Sequence, residues 1–195
     1  MEERWRLFVA IAIGAEARQA VGVAQAAARR AGYTARWVNP ANAHLTLKFL
    51  GDTDRQRVAS LDVALGEVAA SSPAFVLQTA KIGGFPNLRR PSVLWLGLGG
   101  ALDQLATLQQ AVESALAQQG LPAEARPFSP HLTLGRLGRG TALPASAAVA
   151  ALAASTDFAG AVLPVRGIQL VRSELARSGA RYTTLYDLPL TGVSG

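Results

Sequence analysis

The sequence has no cysteine and only two histidines among its 195 residues. Without cysteine it can form neither a disulfide nor a thiolate metal site, which suits the cytoplasm. A metal site built from histidines alone is excluded within one chain, although two histidines and a carboxylate would suffice for one. No metal-ligand spacing is visible, so we expect no metal and no other cofactor.

Long apolar runs are also absent. No stretch approaches the roughly 18 consecutive apolar residues of a membrane helix, so we expect no membrane partner. The opening residues 1–16 (MEERWRLFVAIAIGAE) begin with acidic residues and have too short an apolar run for a secretory signal, and they predict a first strand. Half of the residues are apolar, which is enough for the core of one domain.

Lysine is scarce, because 17 of the 19 basic residues are arginine, and the formal net charge is +6. Arginine binds phosphate through its planar fork, and a positive surface attracts nucleic acid. The alternative is a soluble, alanine-rich chain that uses arginine for its surface. Charge alone does not choose between an anionic partner and this simpler interpretation.

Apolar runs and helix-type spacing alternate along the chain. Strands are predicted at residues 7–13, 36–38, 44–50, 75–82, 93–98, 131–137, 162–171 and 182–190, and helices at 15–31, 55–70, 101–119 and 144–154. Breaks or loops are predicted at 51–54, 83–91 and 172–181. No disordered linker divides the chain. We expect an α+β fold with two similar lobes packed as a single domain over residues 1–195.

One phrase occurs twice: residues 44–51 read HLTLKFLG and residues 131–138 read HLTLGRLG. The copies are 87 residues apart, and each of the two histidines in the chain begins one copy. A single histidine on a strand is most often a bystander, but two in repeated contexts favour a functional role. Each lobe would contribute one such strand, at 44–50 and 131–137, and the two strands would face each other across a cleft.

Strand alternation predicts which side chains share the face of each histidine. In the first copy, the histidine face would carry His44, Thr46, Lys48 and Leu50, and the opposite face Leu45, Leu47 and Phe49. In the second copy, His131 and Thr133 share a face. Alternation puts Arg136 on the opposite, apolar face unless a bulge at Gly135 turns it inward.

Two imidazoles in one cleft can divide the labour of acid–base catalysis. With an ordinary pKa near 6.5, one can be neutral and accept a proton from an attacking oxygen while the other donates a proton to a leaving oxygen. In each copy, the threonine two residues after the histidine lies about 7 Å from it along the same face of the strand. A phosphate between the strands would therefore meet two imidazoles and two hydroxyls.

With these motifs the sequence resembles the two-histidine phosphoesterase superfamily, and more closely the RNA 2′,3′-cyclic phosphodiesterases once described as 2′-5′ RNA ligases. The resemblance covers nearly the whole chain, through RLFVAIAI, WVNPANAHLTLKFLG, GGFPNLRRPSVLWLGL, PFSPHLTLGR and SELARSGARYTTLYDLPL. It implies a bilobal α+β fold, with two pseudo-symmetric lobes of antiparallel sheet and outer helices around a central cleft.

The resemblance also implies a site and a reaction. The catalytic pair of the family corresponds to His44 and His131, its threonines to Thr46 and Thr133, and its arginine to Arg136. Phe8 matches an aromatic position of the substrate cleft. The implied reaction opens a 2′,3′-cyclic phosphate at an RNA end to a 2′-phosphomonoester, and the same site would join a 5′-hydroxyl end to form a 2′-5′ bond.

By the same resemblance His44 would be the general acid and His131 the general base, although the near-symmetric sequence leaves the opposite assignment open. We expect a monomeric chain whose partner is an RNA or oligonucleotide with a cyclic phosphate end. Two alternatives remain. One is a related enzyme acting on another cyclic phosphate or a 2′-5′ oligonucleotide, and the other is a non-catalytic nucleotide-binding module.

Overall fold

In the computed structural model, which describes residues 3–176 and 179–193, nine strands form one sheet accompanied by four α-helices. The strands are β1 (Arg4–Ala12), β2 (Arg36–Trp37), β3 (His44–Asp54), β4 (Phe75–Phe85), β5 (Val93–Gly100), β6 (His131–Arg136), β7 (Val162–Val165), β8 (Gly167–Ala176) and β9 (Gly179–Pro189). The helices are α1 (Ala15–Arg30), α2 (Val58–Ser71), α3 (Leu102–Gln118) and α4 (Ser146–Ala154). The named strands pair antiparallel throughout, which confirms the predicted α+β class.

The two HLTL strands are neighbours in the middle of this sheet. The strand order is β7-β4-β5-β6-β3-β1-β8-β9, with β2 also paired to β6. β3 and β6 meet at one residue pair, Leu45 opposite Leu132. The strands were predicted to face each other across a cleft; instead they lie side by side, so both histidines project from one continuous surface.

The halves repeat a strand, a helix and a histidine strand, as β1-α1-β3 and as β5-α3-β6. Each helix packs across the centre: α1 contacts β6, and α3 contacts β3. The apolar residues of the HLTL strands lie in the main core, namely Leu45, Leu47, Leu132 and Leu134. Because helices and core occupy that side of the two strands, the histidine side is left for the cleft. Within the described residues, no helix has the length and apolarity that a membrane crossing requires.

A β-bulge in β3 reverses the predicted alternation. The register with β1 passes from Ala10 opposite Thr46 to Val9 opposite Lys48, so that one residue of β3 is skipped. Lys48 is therefore buried on the core side, where its Nζ donates to Glu113 and to the carbonyl of Pro122. Phe49 takes the cleft side with 58% of its surface exposed. The prediction for these two residues was wrong because alternation holds only within an unbroken register.

Leu50 also departs from the predicted histidine face, because it packs partly against the main core. A second register shift, between Leu7 and Phe8 on β1, lies beside it. The predicted break at residues 51–54 is absent, since β3 continues to Asp54. There the Asp54 side chain accepts a hydrogen bond from the backbone N–H of Gln56 and begins a short 3₁₀ turn.

The predicted loop at residues 83–91 begins later than expected, because β4 runs to Phe85. Gly83 is part of the strand and lies under the indole of Trp95, where any Cβ would overlap the ring. The glycine provides room for a large neighbour there and does not end the strand.

The C-terminal third is more regular than predicted. The expected single strand at 162–171 is two strands, since β7 pairs with β4 whereas β8 pairs with β1. Most of the expected loop at 172–181 belongs to the β8–β9 hairpin, and Ser178, within that expected loop, lies outside the described residues.

Gln25 links the second histidine strand to Val38, the residue after β2. It lies on the buried side of α1 and is only 2% exposed. Its amide Nε2 donates to the carbonyls of Val38 at 2.7 Å and Leu134 at 3.0 Å. Leu134 is the residue skipped in the register of β6 with β5, so Gln25 supports the backbone where that strand bulges.

Replacing Gln25 with leucine is expected to lower the free energy of unfolding by about 1–3 kcal/mol, because the half-buried Val38 carbonyl and the buried Leu134 carbonyl lose their side-chain donor. Urea denaturation of the purified variant measures this. Gln19→Leu, an exposed substitution on the same helix, is the matched control and is expected to change stability little. Equal effects of the two substitutions would contradict this role for Gln25.

Candidate active site

The pairing of β3 with β6 brings both histidines and both motif threonines together. Leu45 lies opposite Leu132, so continuing the register by one residue each way sets His44 opposite Thr133 and Thr46 opposite His131. Directly opposite residues in an antiparallel pair have Cβ atoms about 4.5–5.5 Å apart, and diagonal ones about 7–8 Å. The four side chains thus form a compact group on one face.

The same hydrogen bond orients each imidazole. The Nδ1 of His44 lies 2.9 Å from the carbonyl oxygen of Asn42, and that of His131 lies 2.7 Å from the carbonyl oxygen of Ser129. A carbonyl only accepts, so Nδ1 carries the proton and donates it. Nε2 is therefore the atom left to exchange a proton, as an acceptor in the neutral ring and a donor in the charged ring.

Local sequence sets up these carbonyls in different ways. Before His44, Asn39 accepts a hydrogen bond from the Ala41 N–H and begins the 3₁₀ turn that contains Pro40 and Asn42. Before His131, the approach Pro127–Pro130 has no regular secondary structure. Proline restricts the backbone in both approaches, which limits the positions open to the residue two before the histidine.

Aromatic rings support both imidazoles. Phe8, on β1, stacks on His44 with centroids 4.8 Å apart, and Tyr182, on β9, meets His44 edge-on at 5.2 Å. Phe85, on β4, meets His131 edge-on with ring centroids 5.0 Å apart. Trp95, on the adjacent strand β5, has its ring centroid 6.3 Å from that of His131. These contacts restrict rotation of each ring about its hydrogen-bonded edge.

Burial lowers the pKa of both histidines below the ordinary value of 6.5, because the charged ring loses hydration. The carbonyls of Asn42 and Ser129 act in the opposite direction by accepting from the charged form. The charge of His131 further lowers the pKa of His44, and the charge of Arg136 further lowers that of His131. Such effects are expected of charges that share one site.

A cleft of about 920 Å³ lies along this face. Five of the six predicted site residues line it: His44, Thr46, Thr133, Arg136 and Phe8. His131 is the exception, since its half-buried ring lies among Phe85 and Trp95 and does not form part of the cavity wall. Phe8 is only 3% exposed, so most of its surface contacts its neighbours, including the His44 ring.

Arg136 reaches the cleft through a bulge, as the sequence had left open. The register of β6 with β5 passes from Thr133 opposite Trp95 to Gly135 opposite Leu94, which skips Leu134. The extra residue places Arg136 on the same side as the motif residues, and its side chain lines the cleft. The bulge follows the motif threonine in β6 just as it does in β3.

Sequence reasoning missed several residues of the cleft wall, namely Arg6, Arg36, Trp37, Phe49 and Tyr182. Phe49 was assigned to the wrong face by strict alternation. Arg6 lies two residues before Phe8 on β1 and shares its face by the same alternation, so the pattern contained a usable signal for it. Tyr182 and Arg36 reach the cleft through the order of strands in the sheet, which periodicity does not encode.

No group of three or more histidine, aspartate and glutamate side chains that could hold a metal ion occurs in the described part of the chain.

Comparison with known proteins identifies the family. The family model described as the 2′-5′ RNA ligase superfamily matches residues 15–177. A protein of Aeropyrum pernix named RNA 2′,3′-cyclic phosphodiesterase is 32% identical over 157 residues, which cover 80% of this chain and 87% of that protein. Some other proteins of the same name are matched over 55–59% of their own length.

Solved structures show the same architecture. A Thermus thermophilus protein aligns with a TM-score of 0.78 at 28% identity, covering 96% of this chain and 98% of that one. Escherichia coli LigT in complex with 3′-AMP aligns with a TM-score of 0.73 at 29% identity, covering 97% and 99%. The sheet and its paired histidine strands are those of a two-histidine phosphoesterase. More particularly, the chain belongs to the 2′-5′ RNA ligase superfamily.

Titration of the free protein is expected to show both histidines losing a proton below pH 6.5, with the neutral rings protonated at Nδ1. Burial is the main cause of the lower pKa, and the carbonyl contacts select the tautomer. Nitrogen-15 NMR of histidine-labelled protein reports both properties, and the urea-unfolded chain, with pKa values near 6.5, is the control. A neutral ring protonated at Nε2, or a pKa above that of the unfolded chain, would contradict this geometry.

Proposed function

We propose that this chain hydrolyses the 2′,3′-cyclic phosphate at the end of an RNA to a 2′-phosphomonoester. The main support is the pair of imidazoles on adjacent central strands, each fixed through Nδ1 and each with a threonine on the same face. The names of the relatives agree with this activity. The cyclic diester carries one negative charge and a strained ring, so the reaction needs a proton acceptor, a proton donor and groups that hold the anion.

In the proposed mechanism His131 is the general base and His44 the general acid. The Nε2 of His131 removes a proton from water as its oxygen attacks phosphorus. The bond from phosphorus to the 3′-oxygen breaks, and the Nε2–H of charged His44 protonates that oxygen. The product keeps its phosphate on the 2′-oxygen, and the two imidazoles have exchanged protonation states.

Because the pKa values of both histidines are lowered, substrate binding also affects the protonation of the rings. A ring that is mostly neutral in the free protein gains a proton more readily when an anion lies beside it, because opposite charge favours the charged form. The phosphate would therefore help to supply the acid that its own cleavage needs.

We assign the non-bridging phosphate oxygens to the hydroxyls of Thr46 and Thr133 and the guanidinium of Arg136. All three line the cleft, on the same face as the imidazoles. Donors fixed in advance where negative charge develops are commonly a large catalytic term. Phe8 forms part of the cleft wall and positions His44 by stacking on it.

RNA is the proposed partner because the charged cleft-wall residues, apart from histidine, are all arginines: Arg6, Arg36 and Arg136. We propose that residues 1–195 act as one monomeric, bilobal unit, since one site draws a histidine from each half. The same steps, with a 5′-hydroxyl end in place of the attacking water, would open the cyclic phosphate to a 2′-5′ bond.

His44→Ala and His131→Ala are each expected to lower kcat by about 10²–10⁴-fold, because each removes one proton-transfer group. The substrate is a short RNA ending in a 2′,3′-cyclic phosphate, with chelator present, and phosphorus NMR identifies the product isomer. The double variant is expected to be about as slow as the slower single variant, since the two groups act in one step.

Circular dichroism and thermal melting of each variant control for folding. The proposal fails if either single variant keeps turnover near that of the wild type. It also fails if the wild-type product is the 3′-phosphomonoester, because the leaving oxygen would then be the wrong one.

A further inference from the structure

Two arginines lie directly opposite each other across the β2–β6 pair. Arg36 on β2 is the Cα partner of Arg136 on β6. Like charges placed directly opposite on neighbouring strands repel each other and destabilise the sheet. Among the strand pairs of the described residues, no other sets two like charges opposite each other.

Neither arginine has an acidic partner among the described residues. Within residues 3–176 and 179–193, neither forms a salt bridge. By contrast Arg6, the third arginine of the cleft wall, lies opposite Asp52 in the register of β1 with β3. The Arg36–Arg136 pair is thus an unfavourable arrangement in the free protein, and an anion held between the two guanidinium groups would relieve it.

The pair also lies beside the phosphate site and not apart from it. Both arginines line the cleft that contains His44, Thr46 and Thr133. Arg136 is the third residue after Thr133. Because β2 pairs with β6 at Arg136, Arg36 lies further from the imidazoles than the motif threonines do. An RNA strand whose terminal cyclic phosphate lies at the imidazoles would pass this arginine pair on its way out of the cleft.

The other side of the cleft has a different character at the equivalent position. Phe49 follows Thr46 by three residues, just as Arg136 follows Thr133, and both lie beyond a bulge. Phe49 is exposed and close to Phe8, with ring centroids 6.0 Å apart. An aromatic side chain suits stacking with a base, and an arginine suits binding of a phosphate. The two halves therefore differ at the equivalent positions where the base and the phosphate of a nucleotide need different neighbours.

We propose that Arg36 binds the phosphodiester on the 5′ side of the terminal nucleotide, with Arg136 lying between this phosphate and the reacting one, so that the site prefers an RNA strand over a single cyclic nucleotide. This inference rests on the proposed function and adds a second phosphate subsite to it. Arginine suits the role because its fork donates two hydrogen bonds to one phosphate.

The test compares three substrates: a nucleoside 2′,3′-cyclic phosphate, a dinucleotide ending in that group, and the same dinucleotide with an uncharged methylphosphonate linkage. For the wild type, kcat/KM for the dinucleotide is expected to exceed that for the other two roughly 10- to 100-fold, the range of a hydrogen bond to a charged group. Arg36→Gln is expected to remove most of this ratio, and Arg36→Lys to restore part of it.

Two further readouts separate a subsite from a structural role. Arg36→Gln is expected to make the salt dependence of log kcat/KM for the dinucleotide shallower by about 0.7, the value for one phosphate of a single strand. It is expected to leave the melting temperature equal or higher, since it removes a repulsion. Arg18→Gln, an exposed charge change on α1 outside the cleft wall, is the matched control and is expected to keep the wild-type ratio.

The subsite is ruled out if the wild type turns over all three substrates equally, or if Arg36→Gln slows the charged and uncharged dinucleotides by the same factor. A lower melting temperature for Arg36→Gln would also overturn it. A wild type that hydrolyses none of the three would instead refute the proposed function, so the two failures are distinguishable.

Discussion

The site depends on the hydrogen bond by which each imidazole donates Nδ1–H to a backbone carbonyl two residues earlier. A histidine side chain on a strand has two rotatable bonds and two possible tautomers, and this contact restricts all of them together. Apart from the histidine side chain, this contact uses only main-chain atoms, so the same contact can occur twice on one sheet. The Leu45–Leu132 pairing then sets the distance between the two rings.

The bulges after Thr46 and Thr133 turn a regular sheet into an asymmetric cleft. One extra residue in each strand brings the third residue after the threonine onto the histidine side. In β3 that residue is Phe49, and the displaced Lys48 is held in the core by Glu113 and the carbonyl of Pro122. In β6 it is Arg136, preceded by Gly135, which has no side chain to bury. The repeated geometry therefore carries different chemistry on its two sides.

The sequence predicted the features that depend on local pattern. The two HLTL strands, the four helices and the shared face of each histidine and threonine all follow from periodicity and repetition. The sides of the sheet taken by Lys48 and Phe49 did not follow from periodicity. They depend on a bulge, which arises from the pairing of neighbouring strands and is not encoded in the pattern of one segment. Gly83 misled for a related reason: glycine ends strands in many contexts, but here it makes room for Trp95, a contact set by tertiary packing.

Residues contributed by distant strands escaped prediction for a different reason. Tyr182 reaches His44 only because the chain returns to place β8 beside β1 and β9 beside β8. Arg36 reaches the cleft because β2 pairs with β6 beyond the single residue pair that joins β3 to β6. Strand order follows from the packing of the whole chain. Composition gave one indirect indication, since the excess of arginine matches the arginines of the cleft wall.

The most direct test of the account is whether one phosphate contacts both imidazoles at once. Nitrogen-15 NMR of histidine-labelled protein, titrated with a nucleoside 2′-phosphate, follows the four ring nitrogens together. The account predicts that both Nε2 resonances move and both pKa values rise on binding, while both Nδ1 atoms keep their protons. A response confined to one histidine, or to neither, would contradict it.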